Sequence, residues 1–295
     1  MKAISRDHHI YTFSPTMKPA LSIEAPETVV FETTDALGEQ IQTEHDRLFS
    51  VDFSKINPAT GPVSIKGARP GDTLVVQVQG IELPQRGVIV TGPGMGVLGD
   101  ELKTHATKLL PIENGFVQFD SLALPVEPMI GVIGVATDTE AFPTGTAHRH
   151  GGNMDTKEIG TGATVYLPVF RRGAMLAMGD VHAVMGDGEV GVSACEVSSR
   201  ITVEIDVIKG KAMKWPVVET EDGIYILVSL PTIEQALIEA TREAAAFLSD
   251  KHRLSLEEAT MLASLAVDIR ISQLVDPNKT AKAFIPKVLF GGRIF

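Results

Sequence analysis

The fold is decided by a run of alternating residues, Ser199-Arg200-Ile201-Thr202-Val203-Glu204-Ile205-Asp206-Val207-Ile208. The apolar side chains at positions 201, 203, 205 and 207 fall on one face of an extended chain, because successive side chains of a strand point to opposite faces. The spacing therefore predicts a half-buried β-strand over residues 199–208.

Two other runs predict strands earlier in the chain. Residues 73–81 alternate well and follow Arg69-Pro70-Gly71-Asp72, a strong turn signal. Residues 129–136 are apolar on both faces, which is typical of an interior strand whose glycines admit a close neighbour. Short apolar or alternating runs, separated by Gly, Pro and Asn-rich turns, extend from Leu21 to Val203. This part of the chain is predicted to be β-rich.

The pattern changes after about Lys214. A short strand is predicted near residues 224–229, and apolar residues then recur at helical spacing over residues 231–249, with no glycine. Thr232 is in position to cap this helix. A second helix is predicted over residues 255–274, where the first residue and the glutamate three positions later have the spacing of a capping box.

These patterns predict an α+β fold that is predominantly β. Residues 1–213 are expected to form a β-sandwich or barrel-like N-terminal and central part that carries the candidate site. Residues 214–295 are expected to form an α+β C-terminal part with a helical hairpin, packed on the first. A chain of 295 residues with 44% apolar composition can bury a large core.

Charge and composition exclude several classes of partner. The formal net charge is −11 and the 26 Lys and Arg residues are scattered, whereas nucleic-acid binding needs clustered basic residues. No run approaches the roughly eighteen apolar residues of a membrane helix, and the first residues lack a signal-peptide core. A single cysteine, Cys195, fits a reducing compartment. We expect a soluble, cytoplasmic protein that binds neither nucleic acid nor membrane.

Two glycine-flanked segments in mid-chain concentrate metal-binding side chains. They are His148-Arg149-His150-Gly151-Gly152-Asn153-Met154-Asp155 and Gly179-Asp180-Val181-His182-Ala183-Val184-Met185-Gly186-Asp187-Gly188-Glu189-Val190. Asp180 and His182 are two apart, so in a strand they project from the same face. Imidazole and carboxylate groups bind zinc, and carboxylate oxygens also bind calcium. The alternative for each segment is a solvated polar loop or a tight hairpin turn with an ordinary ion pair.

Two further features bear on catalysis. The glycine-rich run over residues 91–99 lacks the Lys-Ser/Thr of a nucleotide loop, and is predicted to turn sharply near the site, where its N–H groups contact an oxyanion; a plain turn is the alternative. Cys195 lies beside Glu196. A lone cysteine on a strand is more often a buried hydrophobe than a nucleophile, whereas the glutamate has the chemistry of a ligand or general base.

The two central segments closely resemble those of the acetamidase/formamidase family. The resemblance extends to Asn57-Pro58-Ala59-Thr60-Gly61-Pro62, Gly67-Ala68-Arg69-Pro70-Gly71-Asp72, Pro93-Gly94-Met95-Gly96, Leu254-Ser255-Leu256-Glu257-Glu258-Ala259 and Val275-Asp276-Pro277. It implies an amidohydrolase that cleaves formamide, acetamide or another short amide to ammonia and a carboxylate. It also implies a β-rich, commonly dimeric protein, with zinc or calcium in several members. Met185 departs from the glutamine expected in many members.

The family motifs fall on His150, Asn153, Asp155, Asp180, His182 and Glu196, and chemistry suggests their roles. We hypothesise that a divalent cation, zinc in preference to calcium, is held by one set of ligands: His150, Asp155, Asp180 and His182. Glu196 is predicted to be the general base, and His182 and Asp155 are assigned to catalysis with it. The predicted substrate-binding residues are Gly94, Gly96, Gly151, Gly152 and Asn153.

Two alternatives from other classes stay open. Cys195 is a candidate nucleophile of a cysteine-dependent amidase, and the chain is otherwise a candidate metal-stabilised binding protein without turnover. Calcium would favour a structural role, because it activates water less than zinc does. The expected partners are a small amide substrate and a second copy of the chain in a homodimer.

Overall fold

The computed structural model describes residues 1–46, 48–292 and 294. These residues form 22 strands and two α-helices. The first eleven strands are β1 (Lys2–Ile4), β2 (His9–Ile10), β3 (Thr12–Phe13), β4 (Leu21–Ile23), β5 (Glu27–Thr33), β6 (Ala59–Ile65), β7 (Thr73–Glu82), β8 (Arg86–Thr91), β9 (Ala106–Glu113), β10 (Phe116–Phe119) and β11 (Leu122–Pro125). The others are β12 (Met129–Gly134), β13 (Phe142–Pro143), β14 (Gly151–Asn153), β15 (Thr164–Pro168), β16 (Leu176–His182), β17 (Glu196–Val197), β18 (Ser199–Ile208), β19 (Val217–Glu219), β20 (Gly223–Leu230), β21 (Asp268–Gln273) and β22 (Lys279–Pro286). The helices are α1 (Ile233–His252) and α2 (Leu256–Ala266).

Two large sheets organise the described residues. The first has the strand order β1-β5-β18-β7-β15-β19-β20-β22-β21. The second has the order β11-β10-β9-β8-β17-β16-β12-β14, and β6 also pairs with β16, β2 and β4. Most pairs are antiparallel, while β1 runs parallel to β5 and β4 runs parallel to β6. Short β3 and β13 form a separate ribbon.

The main core lies between the two sheets. Strand β18 coincides with the predicted strand, and Ile201, Val203 and Ile205 are fully buried in this core. From the second sheet, Ile133 and Met178 belong to the same cluster. Burial of each such side chain contributes about 1.5–3 kcal/mol, so the alternating pattern fixes which face of the sheet turns inward.

Helix α1 packs on the extension of the first sheet, and α2 packs on α1. Buried alanines of α1 form one cluster with side chains of β20 and β22. The predicted caps are confirmed: Gln235 N–H donates to Thr232 Oγ1, and Ser255 and Glu258 make both hydrogen bonds of a capping box. Together with the two sheets, these helices confirm an α+β fold that is predominantly β.

The predicted second helix is too long. It ends at Ala266, and residues 268–273 instead form β21, which pairs antiparallel with β22. Ile269 and Ile271 are β-branched and alternate with polar residues, so the neighbouring strand captures this segment. Pairing across the sheet has overridden the helical spacing seen in the sequence.

The two predicted parts of the chain share one sheet. Strand β19 pairs with β15 and with β20, so the strands after residue 214 continue the sheet built by earlier residues. The division into residues 1–213 and 214–295 stays a prediction. No helix formed by the described residues is long and apolar enough to span a membrane.

Candidate active site

Adjacent strands of the second sheet bring the candidate side chains together. Asp180 and His182 end β16, and Glu196 begins β17, where it pairs directly with His182. Asp155 follows β14, which is separated from β16 only by β12. As predicted for a strand, Asp180 and His182 point the same way, with Oδ1 and Nε2 3.1 Å apart.

His182 lies at the centre of a buried acidic cluster. Besides Asp180, its Nε2 lies 3.2 Å from Glu196 Oε2, 3.9 Å from Asp155 Oδ1 and 4.0 Å from Glu189 Oε1. All of these side chains are buried. Glu189 was quoted in the central motif but not predicted as a site residue.

The C-terminal part contributes a further acid. Asp276 follows β21, and Gln273 Oε1 holds this segment by accepting the N–H groups of Val275 and Asp276, at 3.0 and 3.1 Å. The Asp276 Oδ2 atom accepts a hydrogen bond from Asn153 Nδ2 at 2.8 Å. Residues 268–273, which were predicted to be helical, instead form the strand that places Asp276 in the site.

The loop that carries Glu189 is tied to the same C-terminal strands. Gly188 N–H donates to Ser272 O at 2.7 Å. The neighbouring Asp187 accepts a hydrogen bond from Lys282 at 2.7 Å, and this fully buried lysine also binds Glu158. Asp187 is thus a partner of a buried lysine, whereas Glu189 turns into the site.

Three of the acids have unusual backbone conformations. The φ angles are 39° at Asp155, 53° at Asp180 and 45° at Glu189, in the left-handed region that residues other than glycine seldom adopt. Each costs roughly 1–3 kcal/mol unless the surrounding structure offsets it. Such strain concentrates at functional sites, so its recurrence in one cluster favours a role for these acids.

A glycine makes room for the cluster. A Cβ atom added at Gly131 on β12 would lie 2.3 Å from Asp155 Oδ1 and 3.0 Å from Asp180 Oδ2. Real Cβ atoms do not approach oxygen so closely. Any side chain at position 131 would therefore push the two carboxylates apart.

Burial and crowding shift the proton equilibria of the cluster. Burial raises the pKa of Glu196 to about 7 and, with the charge of Asp180, raises that of Asp155 to about 7. Burial also holds the pKa values of Glu189 and Asp276 well above their usual range, with the charge of Asp155 adding to the effect.

The pKa of the central imidazole is also raised, but for a different reason. Burial opposes protonation of His182, but the charges of Glu196 and Asp180 outweigh it and raise its pKa well above the usual value. Among the described residues, every ion pair made by Asp155, Asp180, Glu189 and Glu196 is with His182. The cluster therefore has more acid than base, a charge balance that a cation would correct.

The donor set fits a divalent metal ion. Two groups have ligand atoms within 4.8 Å of one another: Asp155, Asp180 and His182, and His182, Glu189 and Glu196. Neither buried oxygen of Asp155 accepts from an N–H or O–H donor of the described residues, and its close neighbours are the carboxyl groups of Glu189 and Asp276. Buried polar atoms normally have partners, so these oxygens have the properties of metal ligands.

His150 lies outside both groups, so its role as a metal ligand stays a prediction that these two groups do not support. His148 and Gly151 exchange backbone hydrogen bonds of 2.8 and 3.0 Å, which reverses the chain at this point. The buried His150 ring instead packs on Phe13 and Phe142, with centroids 5.0 and 5.2 Å apart. Burial lowers its pKa to about 3.

Of the five predicted substrate-binding residues, Asn153 alone lines the cavity in front of the acids. Gly94 N–H donates to Gly99 O at 2.9 Å, and Gly151 N–H donates to His148 O at 3.0 Å. Both groups are already used within their own loops, so neither is free for an oxyanion. Gly96 and Gly152 also fall outside the lining residues.

The geometry disfavours Cys195 as a nucleophile. Its side chain belongs to the main core, while the next residue, Glu196, lines the cavity. Burial raises the pKa of the thiol to about 12, with the charge of Glu196 adding to the effect. At neutral pH only about one thiol in 10⁵ would be the reactive thiolate.

Sequence comparison identifies the family. The chain matches the model of the Acetamidase/Formamidase family over residues 3–144 and 137–291. It belongs to the acetamidase/formamidase family. This match confirms the resemblance of the sequence motifs to that family.

Solved structures of the acetamidase/formamidase type are close to this one. The acetamidase of Bacillus halodurans is 40% identical, with a TM-score of 0.96 over 98% of this chain and 100% of that one. A predicted acetamidase/formamidase of Thermoanaerobacter tengcongensis is 44% identical, with a TM-score of 0.95 over 99% and 98% of the two chains. A Schizosaccharomyces pombe relative is 28% identical over 68% of this chain. The matched region spans 65% of the length of that relative.

Proposed function

We propose that this chain is an amidohydrolase that cleaves a short linear amide, such as formamide or acetamide, to ammonia and a carboxylate. The observation that carries the proposal is His182, held within 4.0 Å of four buried carboxylates. Three of these carboxylates, those of Asp180, Glu189 and Glu196, line a cavity. The likeness to an enzyme named acetamidase supports the choice of substrate.

Asp155, Asp180 and His182 would hold a divalent ion, and Glu189, which forms the second group with His182 and Glu196, is an additional candidate ligand. We favour zinc over calcium, because imidazole is a better ligand for zinc than for calcium. Such an ion, when bound, supplies Lewis acidity and lowers the pKa of water.

Glu196 is the proposed general base. Burial raises the pKa of its carboxyl towards neutrality, so Glu196 would accept a proton from the attacking water and return it to the departing nitrogen. The water oxygen bonds to the amide carbon, the C–N bond breaks, and the products are the acid and ammonia.

Asn153 is the proposed contact for the amide nitrogen. Its Nδ2 donates to Asp276, whereas its buried Oδ1 has no partner among the described residues. The free oxygen accepts a hydrogen bond from the amide N–H group. It would therefore orient the substrate before attack.

Activity and metal measurements on the purified protein and one variant separate this proposal from its two rivals. We expect purified protein to release ammonia from acetamide or formamide, to contain a divalent metal, and to lose activity on chelation. Cys195→Ala should retain activity within about two-fold, since its thiol lies in the core. Ammonia release that survives full metal removal would contradict the metal role, and failure with every amide would leave a binding protein.

We also infer a homodimer in the cytoplasm. The dimer rests on the family resemblance, and the location on the single buried cysteine, which suits a reducing compartment. The molar mass in solution, measured by light scattering, checks the first inference.

Gly131→Ala should abolish most activity. The new methyl group would displace the carboxylates of Asp155 and Asp180, and a shift of about 1 Å costs roughly 100-fold in rate. Ammonia release and bound metal are the measurements. Gly80→Ala is the matched control, because Gly80 also lies in a strand and an added Cβ there meets nothing within 4 Å. Equal activity in both variants would remove the cluster from catalysis.

A further inference from the structure

The cavity in front of the acidic cluster is larger than acetamide requires. Its volume is about 510 Å³. A two-carbon amide has the bulk of roughly four water molecules, or about 120 Å³. Most of the cavity would therefore stay empty or hold water if acetamide were the preferred substrate.

One wall of this cavity is apolar. It includes Leu37, Ile56, Val90 and Met95. Leu37 and Val90 are buried in a separate small cluster, against which Ile56 and Met95 pack. A wall backed by packed side chains is already formed, so binding an apolar group there needs little reorganisation.

The strand order places this wall on one side of the acids. In the second sheet β8 carries Val90, β17 carries Glu196, β16 carries Asp180, and β14 carries Asn153 after the intervening β12. Glu196 and Asp180 therefore lie between the apolar wall and Asn153. Ser193 strengthens the first junction, because its hydroxyl accepts from Val90 N–H at 3.0 Å and donates to Val90 O at 2.8 Å.

This order gives the substrate a direction. The free Oδ1 of Asn153 accepts from an N–H group, so the amide nitrogen lies on that side. The carbonyl carbon then lies at Glu196 and Asp180, which line the cavity, and the acyl chain extends towards Val90 and Met95. An amide lying the other way would leave a buried acceptor unpaired against an apolar chain.

We propose that the preferred substrates are primary amides whose apolar acyl chain is longer than that of acetamide and lies against this wall. This inference rests on the proposed amidohydrolase activity and specifies its substrate class. Water adds to the carbonyl carbon of the primary amide, the C–N bond breaks, and the products are the corresponding carboxylic acid and ammonia.

The metal-loaded enzyme tests the inference with acetamide, butyramide and hexanamide. Each buried methylene is expected to raise kcat/KM for ammonia release about four-fold, so butyramide should exceed acetamide by about 16-fold. Equal or falling values along the series would overturn the chain-length inference while leaving the amidohydrolase in place. Absence of ammonia from every amide, acetamide included, would instead refute the proposed activity.

Met95→Trp tests the position of the wall. The larger side chain would occupy the acyl region, and we expect the ratio of kcat/KM for hexanamide to that for acetamide to fall at least ten-fold. Leu98→Trp is the matched control, because Leu98 lies in the same loop, is 56% exposed and does not line the cavity. An unchanged ratio in the Met95 variant would place the chain elsewhere.

The proposed contact between the amide N–H group and Asn153 can be tested in the unmodified enzyme. N,N-dimethylhexanamide has no N–H group, so it leaves Asn153 Oδ1 unpaired. We expect its kcat/KM to be about ten- to 100-fold below that of hexanamide, with dimethylamine measured as the product. Comparable values for the two amides would overturn the assigned direction.

Discussion

Glu196→Gln is expected to lower kcat by about two to four orders of magnitude, the usual cost of losing a general base. Glutamine has nearly the shape of glutamate, but it cannot take a proton from water. The variant should still fold, because Glu196 Oε1 accepts a hydrogen bond from Ala194 N–H at 2.8 Å and an amide oxygen can do the same. Single-turnover ammonia release measures the effect.

The control for this substitution is Glu204→Gln. Glu204 lies on β18 in the first sheet, outside the lining of the cavity, and its carboxylate contacts Gln79. We expect this variant to retain normal turnover. A Glu196 variant with nearly the same kcat as the Glu204 variant would exclude Glu196 as the base.

Local pattern was sufficient for the elements whose environment is set by their own residues. The alternation over residues 199–208 predicts β18 at its observed bounds, and the capping box at Ser255 predicts the start of α2. It failed over residues 268–273, where pairing with β22 decides the structure. Such pairing depends on residues that local spacing does not contain.

The residues of the candidate site also fall into two sets, those predictable from local spacing and those brought in by distant contacts. Asp180 and His182 were predictable as a pair, because their spacing on one strand fixes their common direction. Glu189 and Asp276 were missed, since they meet the others only through the contact between the Gly188 loop and β21. The sequence did carry a signal for the wider site, because family motifs include Asn57 and Val275-Asp276-Pro277. Both motifs reach the cluster: Asp276 belongs to it, and Asn57 Nδ2 donates to Asp180 Oδ2 at 3.4 Å.

His150 shows that residue spacing does not predict side-chain direction where the chain turns. The i, i+2 relation of His148 and His150 predicts a common direction only in an extended chain. Gly151 and Gly152 have φ angles of 91° and 90°, and the bend turns the His150 ring towards Phe13 and Phe142. Two neighbouring histidines therefore join an aromatic stack instead of the acidic cluster.

His182→Ala is expected to remove metal and activity together. His182 belongs to both groups of potential ligands, so its loss breaks each of them. The fall in metal affinity should exceed the roughly 10- to 100-fold cost of losing an outer-shell partner. Metal content after dialysis and ammonia release, measured on the same sample, check the result.

His150→Phe is the matched control for that variant. Both histidines are buried, but a phenylalanine at position 150 preserves packing against Phe13 and Phe142 and leaves the cluster untouched. We expect the His150 variant to keep its metal and its turnover, because His150 is not among the proposed metal ligands. Loss of metal in the His150 variant with retention in the His182 variant would reverse the assignment of the two imidazoles. If both variants kept metal and activity, the ion would have to be bound without histidine, and the central place given to His182 would be wrong.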